Sequence, residues 1–149
     1  MTTATVASAA PGARSRWPRS VGAVLAGLLV NAVLSSGTDM LLVAVGVFPP
    51  LSDFGNPAAY GDSLLFLALV YRTLFGVLGC YVTARFASTR PMAHALALGC
   101  IGVVIGTIGA VAAWDSWAHW YSLAIIAVAL PSSLLGARIF RSRRRDRNR

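Results

Sequence analysis

The sequence predicts an all-α membrane protein, a four-helix up-down bundle that crosses the bilayer four times and keeps both termini in the cytoplasm. The chain of 149 residues is 56% hydrophobic and 12% charged, with a mean hydropathy of +0.67, whereas about 25% of the residues in a soluble domain are charged. The apolar residues form four runs, each near the roughly 20 residues that a helix needs to span a bilayer. The runs are continuous rather than alternating, which favours helices over barrel strands.

The elements follow from these runs and from the prolines that bound them. The first helix is expected to end before Pro49 because proline cannot continue a helix, and the third to begin after Pro91, which suits a first turn. Short connections make consecutive helices antiparallel neighbours. We predict one transmembrane domain over residues 20–140, with helices at about residues 21–48, 63–86, 92–113 and 120–140.

The N-terminal segment, residues 1–19, is rich in small residues, contains no acidic residue and is predicted to be a disordered cytoplasmic segment. Its arginines before an apolar run also fit a secretory signal, with Ser35 and Gly37 as small residues near a cleavage site, and its composition fits an organellar transit peptide. The apolar run resumes at Met40, and its length of about 28 residues exceeds the 7–15 of a signal sequence. We therefore favour an uncleaved first helix.

Charge is distributed unevenly over the predicted bundle. All thirteen basic residues are Arg and all five acidic residues are Asp, with a net charge of +8. Twelve arginines precede the first helix, lie near the second connection or follow the fourth helix, whereas the first and third connections carry Asp53, Asp62 and Asp115. Because positive charge is retained in the cytoplasm, this pattern predicts cytoplasmic termini in a bacterial inner membrane. The high pI then gives no reason to expect a nucleic-acid partner.

The C-terminal tail, residues 141–149, concentrates this positive charge. Each basic residue near a membrane surface adds about 1 kcal/mol of attraction to anionic lipids. We expect anionic headgroups to contact the arginines at the end of the fourth helix, namely Arg138, Arg141, Arg143, Arg144 and Arg145.

The thirteenth arginine, Arg72, falls well inside the second helix. Asp39 in the first helix and Arg72 in the second each lie nine residues from the predicted end of their helix, which puts both at a depth of roughly 13 Å. A lone charge at such depth costs at least about 2.5–3.5 kcal/mol, so an ion pair is predicted. Asn31, Ser35 and Thr38 share the helix face of Asp39 and extend it into a candidate polar site. The pair is either a site coupled to a proton, ion or substrate, or a structural pair that fixes helix register.

Small residues recur at helical spacing on the second and third helices, which predicts close helix packing. They are Gly76, Gly79, Gly99, Gly102, Gly106 and Gly109. A narrow polar cavity or a dimer face is the alternative. In the fourth helix, Pro131 removes the backbone bond to Ala127 and predicts a kink. Ser132 and Ser133 are expected to compensate the freed carbonyls.

Histidines and cysteines give no cofactor site. His94 and His119 begin the third and fourth helices at opposite faces, so one haem iron cannot use both. Cys80 and Cys100 lie in apolar segments, where thiols are unreactive. The sequence carries no phosphate-binding loop, dinucleotide fingerprint, zinc-protease motif or nucleophile elbow. We expect no cofactor, no metal and no enzymatic activity.

Helices two to four carry a characteristic set of residues. These are Tyr71-Arg72-Thr73, Gly76, Gly79, Tyr81, Thr83-Ala84-Arg85, Arg90-Pro91-Met92, His94, Gly99, Trp120-Tyr121, Pro131 and Gly136. This pattern resembles a group of small, uncharacterised bacterial membrane proteins of four predicted helices. The first helix matches only through Asp39 and Phe48-Pro49-Pro50, and Cys80 stands where the group has glycine. The resemblance implies an intact four-helix membrane protein and supplies no activity.

Three functional hypotheses follow. The first is a structural or accessory component of the inner membrane, acting as a homodimer or with another membrane protein. The alternative is a small transporter or channel that uses Asp39 and Arg72. Small multidrug-type exporters have this size, but they rely on a glutamate in the first helix, and this chain has no glutamate. A membrane enzyme or redox subunit is the third and weakest hypothesis.

Overall fold

The computed structural model describes residues 17–87 and 90–146, which fold into an all-helical bundle. Among the described residues, four helices are long and apolar enough to cross a membrane. The all-α prediction is thus confirmed for the described residues; most of the predicted disordered segment 1–19 lies outside them. The helices are α1 (Trp17–Ala44), α2 (Asp62–Phe86), α3 (Pro91–Ala112) and α4 (His119–Asp146), with two 3₁₀ turns at Leu51–Asp53 and Trp114–Ser116.

Helix α1 ends four residues before the predicted boundary. The Gly46 N–H donates to the Val43 carbonyl at 3.1 Å, and the Val47 N–H donates to the Leu42 carbonyl at 2.9 Å. This pair of bonds is the Schellman motif, which needs a left-handed residue after the helix, and Gly46 supplies it with a φ of +74°. The chain therefore turns before Pro49, and the side chain of Phe48 is buried in the bundle.

Helix α4 runs past its predicted end at Phe140 and continues to Asp146. Arginine is a good helix former, and the segment holds no glycine or proline to stop the helix. Residues 141–146 of the predicted tail thus extend α4, and residues 147–149 lie outside the described residues. Helix α4 is also continuous through Pro131. The Ser132 and Ser133 hydroxyls donate to the carbonyls of Val128 and Leu130, whereas the carbonyl that Pro131 leaves without its backbone donor is that of Ala127.

The helices pack in the spatial order α1, α2, α4, α3, with additional contact between α2 and α3. We call the end of the bundle at Ala44 and Asp62 the loop end, and the end at Phe86 and Pro91 the arginine end. Two buried clusters fill these halves. The loop-end cluster contains Phe48, Tyr60, Leu65, Ala68, Tyr71 and Tyr121. The arginine-end cluster contains Cys80, Ala84, Ala95, Leu98 and Ala137.

Glycines bring the helices into close contact toward the arginine end. A Cβ on Gly79 would lie 2.6 Å from the Gly27 carbonyl oxygen, and one on Gly136 would lie 2.5 Å from the Val77 carbonyl oxygen. A Cβ on Gly99 would meet the Ser133 hydroxyl at 2.5 Å. Close packing is thus the role of Gly79 and Gly99, as predicted, whereas Gly109 faces open space. The bundle is consequently tight at the arginine end.

Candidate functional site

The structure brings Asp39 and Arg72 together between α1 and α2. The Arg72 Nη2 donates to Asp39 Oδ2 at 2.5 Å, as the ion pair predicted from the sequence requires. The other carboxylate oxygen accepts a hydrogen bond from the Tyr71 hydroxyl. Both Asp39 oxygens therefore have a partner, one cationic and one neutral.

The ion pair lies nearer the loop end than was expected from counting residues to the predicted helix ends. Asp39 is five residues from the end of α1 at Ala44, since the helix stops before Phe48. Arg72 begins ten residues into α2. Helical side chains tilt toward the N-terminus of their helix, which for Arg72 is the loop end. The long arginine side chain spans the difference in depth and meets Asp39.

Tyr71 is a member of the site that the shared helix face of Asn31, Ser35, Thr38 and Asp39 did not predict. Neighbouring helix residues point about 100° apart, so helical spacing gives no reason for Tyr71 and Arg72 to reach one carboxylate. The available signal was the requirement that a buried tyrosine hydroxyl find a partner. Tyr71 is buried on α2, and Asp39 is that partner.

The guanidinium of Arg72 keeps hydrogen-bonding capacity beyond this pair. Its Nε is buried and has no hydrogen-bond partner among the described residues. Buried donors in folded proteins are nearly always satisfied by protein, water or ligand. Arg72 also borders three separate cavities. It is therefore an anchored cation with one donor that the described residues do not use.

The first of these, the aromatic cavity, has a volume of about 200 Å³ and lies at the loop end. Asp39 and Arg72 form its polar wall, and most of the remaining wall is apolar. Aromatic rings suit the recognition of flat or amphipathic molecules, because each offers a large apolar face with a polar edge. The rings that line the cavity belong to Phe48, Phe54, Tyr60, Trp117 and Tyr121.

The connection between α1 and α2 closes over the aromatic cavity. The Tyr60 ring packs edge-on against Phe48 at 5.8 Å and Trp117 at 5.1 Å, and Phe54 meets Trp117 at 5.2 Å between ring centroids. Burial raises the pKa of the Tyr60 hydroxyl, and the negative charges of Asp39 and Asp53 raise it further. Tyr60 is thus a neutral group at physiological pH, and the connection forms part of the site.

The second, the polar cavity, has a volume of about 280 Å³ and is bordered by all four helices. Its polar wall contains Asn31, Ser35, Arg72, Thr73 and Ser132. The Asn31 Oδ1 is buried and has no hydrogen-bond partner among the described residues. A water molecule occupies about 30 Å³ of liquid volume, so several fit here. The polar cavity offers an unpaired acceptor beside an arginine with an unpaired donor.

The third cavity, of about 340 Å³, extends from Arg72 along α3 and is bordered by Phe54, Trp117, Tyr121 and Ser122. The three cavities meet at one side chain, Arg72. Of the residues predicted on the α1 polar face, Asn31 and Ser35 line the polar cavity. Thr38 is half-buried and lines none of the three cavities.

The remaining candidate residues lie elsewhere. His94 contacts the Arg90 carbonyl at 3.1 Å at the arginine end, and the His119 ring stacks on Trp114 with 4.2 Å between centroids at the loop end. Cys80 is buried and Cys100 is exposed. Within residues 17–87 and 90–146, no group of three or more His, Cys, Asp or Glu side chains is arranged to hold a metal ion. The five candidate headgroup contacts, Arg138, Arg141, Arg143, Arg144 and Arg145, are all exposed on α4.

Fold and site together define a four-helix bundle with a charged cluster that borders internal cavities. No protein-family model, curated protein or solved structure matches the chain.

Proposed function

We propose that this chain is a multi-pass protein of the bacterial inner membrane with both termini in the cytoplasm. Large apolar side chains on all four helices point outward, and the exposed fraction reaches 64% for Leu29 and 73% for Val111. Exposed apolar surface costs about 25 cal/mol per Å² in water, a cost that lipid removes. The arginine end would face the cytoplasm because positive charge is retained there. The resemblance to small bacterial membrane proteins agrees with this proposal and is itself a prediction.

Cysteine labelling tests this orientation. In a Cys80→Ala, Cys100→Ala background, Ser52→Cys at the loop end is expected to react with a membrane-impermeant maleimide on intact cells. Ser142→Cys at the arginine end is expected to react only after permeabilisation. Both serines are exposed, so accessibility in the folded protein does not distinguish them. The opposite pattern would contradict the proposed orientation.

We further propose that the protein is a small transporter or channel whose solute site is the Asp39–Tyr71–Arg72 cluster. One observation carries this proposal: Arg72 is anchored by Asp39 yet borders three cavities and retains an unpaired Nε–H. A pair with only a structural role needs no adjoining space. Polar residues within a membrane bundle typically mark solute or ion pathways. The cluster would bind the polar group of a small solute, and the aromatic cavity would hold its apolar part.

The two halves of the bundle are packed differently. The aromatic cavity lies at the loop end, whereas close contacts at Gly27, Gly79 and Gly136 hold the helices together in the opposite half. Transport would require these contacts to separate, as rigid-body movement between helices allows. The contact between Gly27 and Gly79 joins α1 to α2, the two helices that carry the charged cluster.

A structural or accessory role is the second candidate. It is favoured by the engagement of both Asp39 oxygens in hydrogen bonds to residues of α2. Under this hypothesis the pair fixes the register of α1 on α2. The outward apolar faces would then serve lipid contact, a homodimer or a membrane-protein partner.

Solute flux separates the two candidates. Proteoliposomes would be mixed with polyols, small carboxylates or small ammonium salts, and entry followed by light scattering. We expect one class to enter faster than into protein-free liposomes. The increase should be lost in the double variant Asp39→Asn, Arg72→Gln and retained in Thr38→Val, since Thr38 borders none of the cavities. Wild-type rates equal to protein-free rates for every class would instead favour the accessory role.

A further inference from the structure

A groove at the arginine end lies between the start of α3 and the end of α4. It has a volume of about 270 Å³. Pro91 and Met92 form the α3 side, Phe140 forms the apolar part of the α4 side, and Arg141 and Arg144 complete the wall. The groove thus places two guanidinium groups beside an apolar floor.

The two arginines of this groove differ from their neighbours on α4. Residues three apart share one face of a helix, so Arg141 and Arg144 point the same way. Arg143 instead lies over the Tyr81 ring at 5.9 Å, facing α2. Within residues 17–87 and 90–146, the only ion pair joins Asp39 to Arg72. Both groove arginines are therefore exposed cations without an acidic partner in that part of the chain.

The position of the groove along α4 indicates its occupant. Apart from Arg138, the helix is predominantly apolar up to Phe140, and the remaining arginines follow directly. In a membrane this boundary falls at the headgroup level, where acyl chains meet phosphates. A molecule that fits must present an anionic group beside a hydrocarbon chain.

We propose that the groove is a binding site for one anionic phospholipid. The phosphate lies between Arg141 and Arg144, since guanidinium groups bind phosphate oxygens through paired N–H donors. One acyl chain lies against Met92 and Phe140. The proposal rests on the proposed membrane insertion and is independent of the solute site at Arg72.

Lipid binding to the full-length protein tests the groove. The protein would be purified in a neutral detergent and titrated with dioleoyl-phosphatidylglycerol or dioleoyl-phosphatidylcholine, with bound lipid counted by native mass spectrometry. The wild type is expected to bind phosphatidylglycerol at least tenfold more tightly than phosphatidylcholine. Arg141→Gln with Arg144→Gln should weaken phosphatidylglycerol binding roughly thirtyfold, from the usual contribution of two basic residues.

A charge-matched control separates the groove from general surface charge. Arg143→Gln with Arg145→Gln removes the same charge from α4 but alters no residue of the groove, so binding should stay within about threefold of wild type. An equal loss in both double variants would overturn the proposal in favour of diffuse attraction. Equal binding of the two lipids would overturn it as well.

A second variant tests the apolar half of the site. Met92→Trp fills the groove without changing charge, and because Met92 is exposed at the start of α3, we expect the bundle to fold normally. Phosphatidylglycerol binding should fall at least fivefold. Unchanged binding, or full displacement of the lipid by millimolar inorganic phosphate, would show a free-anion site and overturn the phospholipid assignment. The labelling of Ser52→Cys and Ser142→Cys tests membrane insertion separately. If that labelling follows the expected pattern, a negative lipid-binding result rules out the groove and not the membrane location.

Discussion

Replacing Asp39 by asparagine is expected to remove most of the folded protein. Asparagine keeps the shape of the side chain but leaves the Arg72 guanidinium, now held at 2.5 Å from a carboxylate, without its counter-charge. The Arg72 and Asp39 side chains are 35% and 24% exposed, so the loss is expected to be smaller than the roughly 3–5 kcal/mol of a fully buried pair. It is still a substantial part of the roughly 5–15 kcal/mol by which proteins are stable. Abundance in membranes and the thermal unfolding temperature in detergent would both fall.

The double variant Asp39→Asn, Arg72→Gln removes the unpaired charge and is expected to recover most of the lost abundance. Recovery without solute flux would mean that the pair is both a structural and a functional element. Thr38→Val, on the same helix, serves as the control and should behave as the wild type. If Asp39→Asn alone folds and unfolds like the wild type, the ion pair does not stabilise the bundle.

The second large effect is expected at the contact between α1 and α2. A Cβ at Gly27 would overlap the Thr83 hydroxyl and the backbone carbonyl of Gly79. Because a backbone atom cannot move aside as a flexible side chain does, Gly27→Ala must separate the two helices. Overpacking of this kind costs about 1–3 kcal/mol and sometimes more. Thermal unfolding of the purified protein would measure the loss.

A matched substitution is available on the same helix. Gly22 has no neighbouring atom within 4 Å of an added Cβ, so Gly22→Ala should be neutral or stabilise the helix by up to about 1 kcal/mol. Thr83→Ala should partly rescue Gly27→Ala, because the Thr83 hydroxyl is one of the two overlapping groups. Equal effects of the two glycine substitutions would show that the helices are not in close contact at Gly27.

Much of the architecture could be predicted from the sequence because it depends on local composition. Apolar runs and prolines locate the four helices to within a few residues at most of their ends. The pairing of Asp39 with Arg72 follows from two isolated charges on consecutive helices. The end of α1 was missed, although Gly46 carried the signal for it, because the apolar run continues past that glycine.

The aromatic cavity could not be predicted in the same way. Phe54, Tyr60 and Trp117 come from two different connections, and nothing in their spacing indicates that their rings would meet over Asp39. The closest glycine contact was missed for a related reason. Gly22 and Gly37 on the same helix meet no neighbouring atom, and the role of Gly27 depends on the presence of Gly79 and Thr83 opposite.

The pairing of Asp39 with Arg72 also determines how the site would respond to membrane voltage. One positive and one negative charge held together move no net charge when the helices shift as a unit. A transition that keeps the pair intact would therefore be nearly insensitive to the transmembrane potential. A transition that separates the pair would move charge through the field, at about 2.3 kcal/mol per elementary charge for each 100 mV crossed. Voltage dependence of flux would accordingly report whether the pair opens during each cycle.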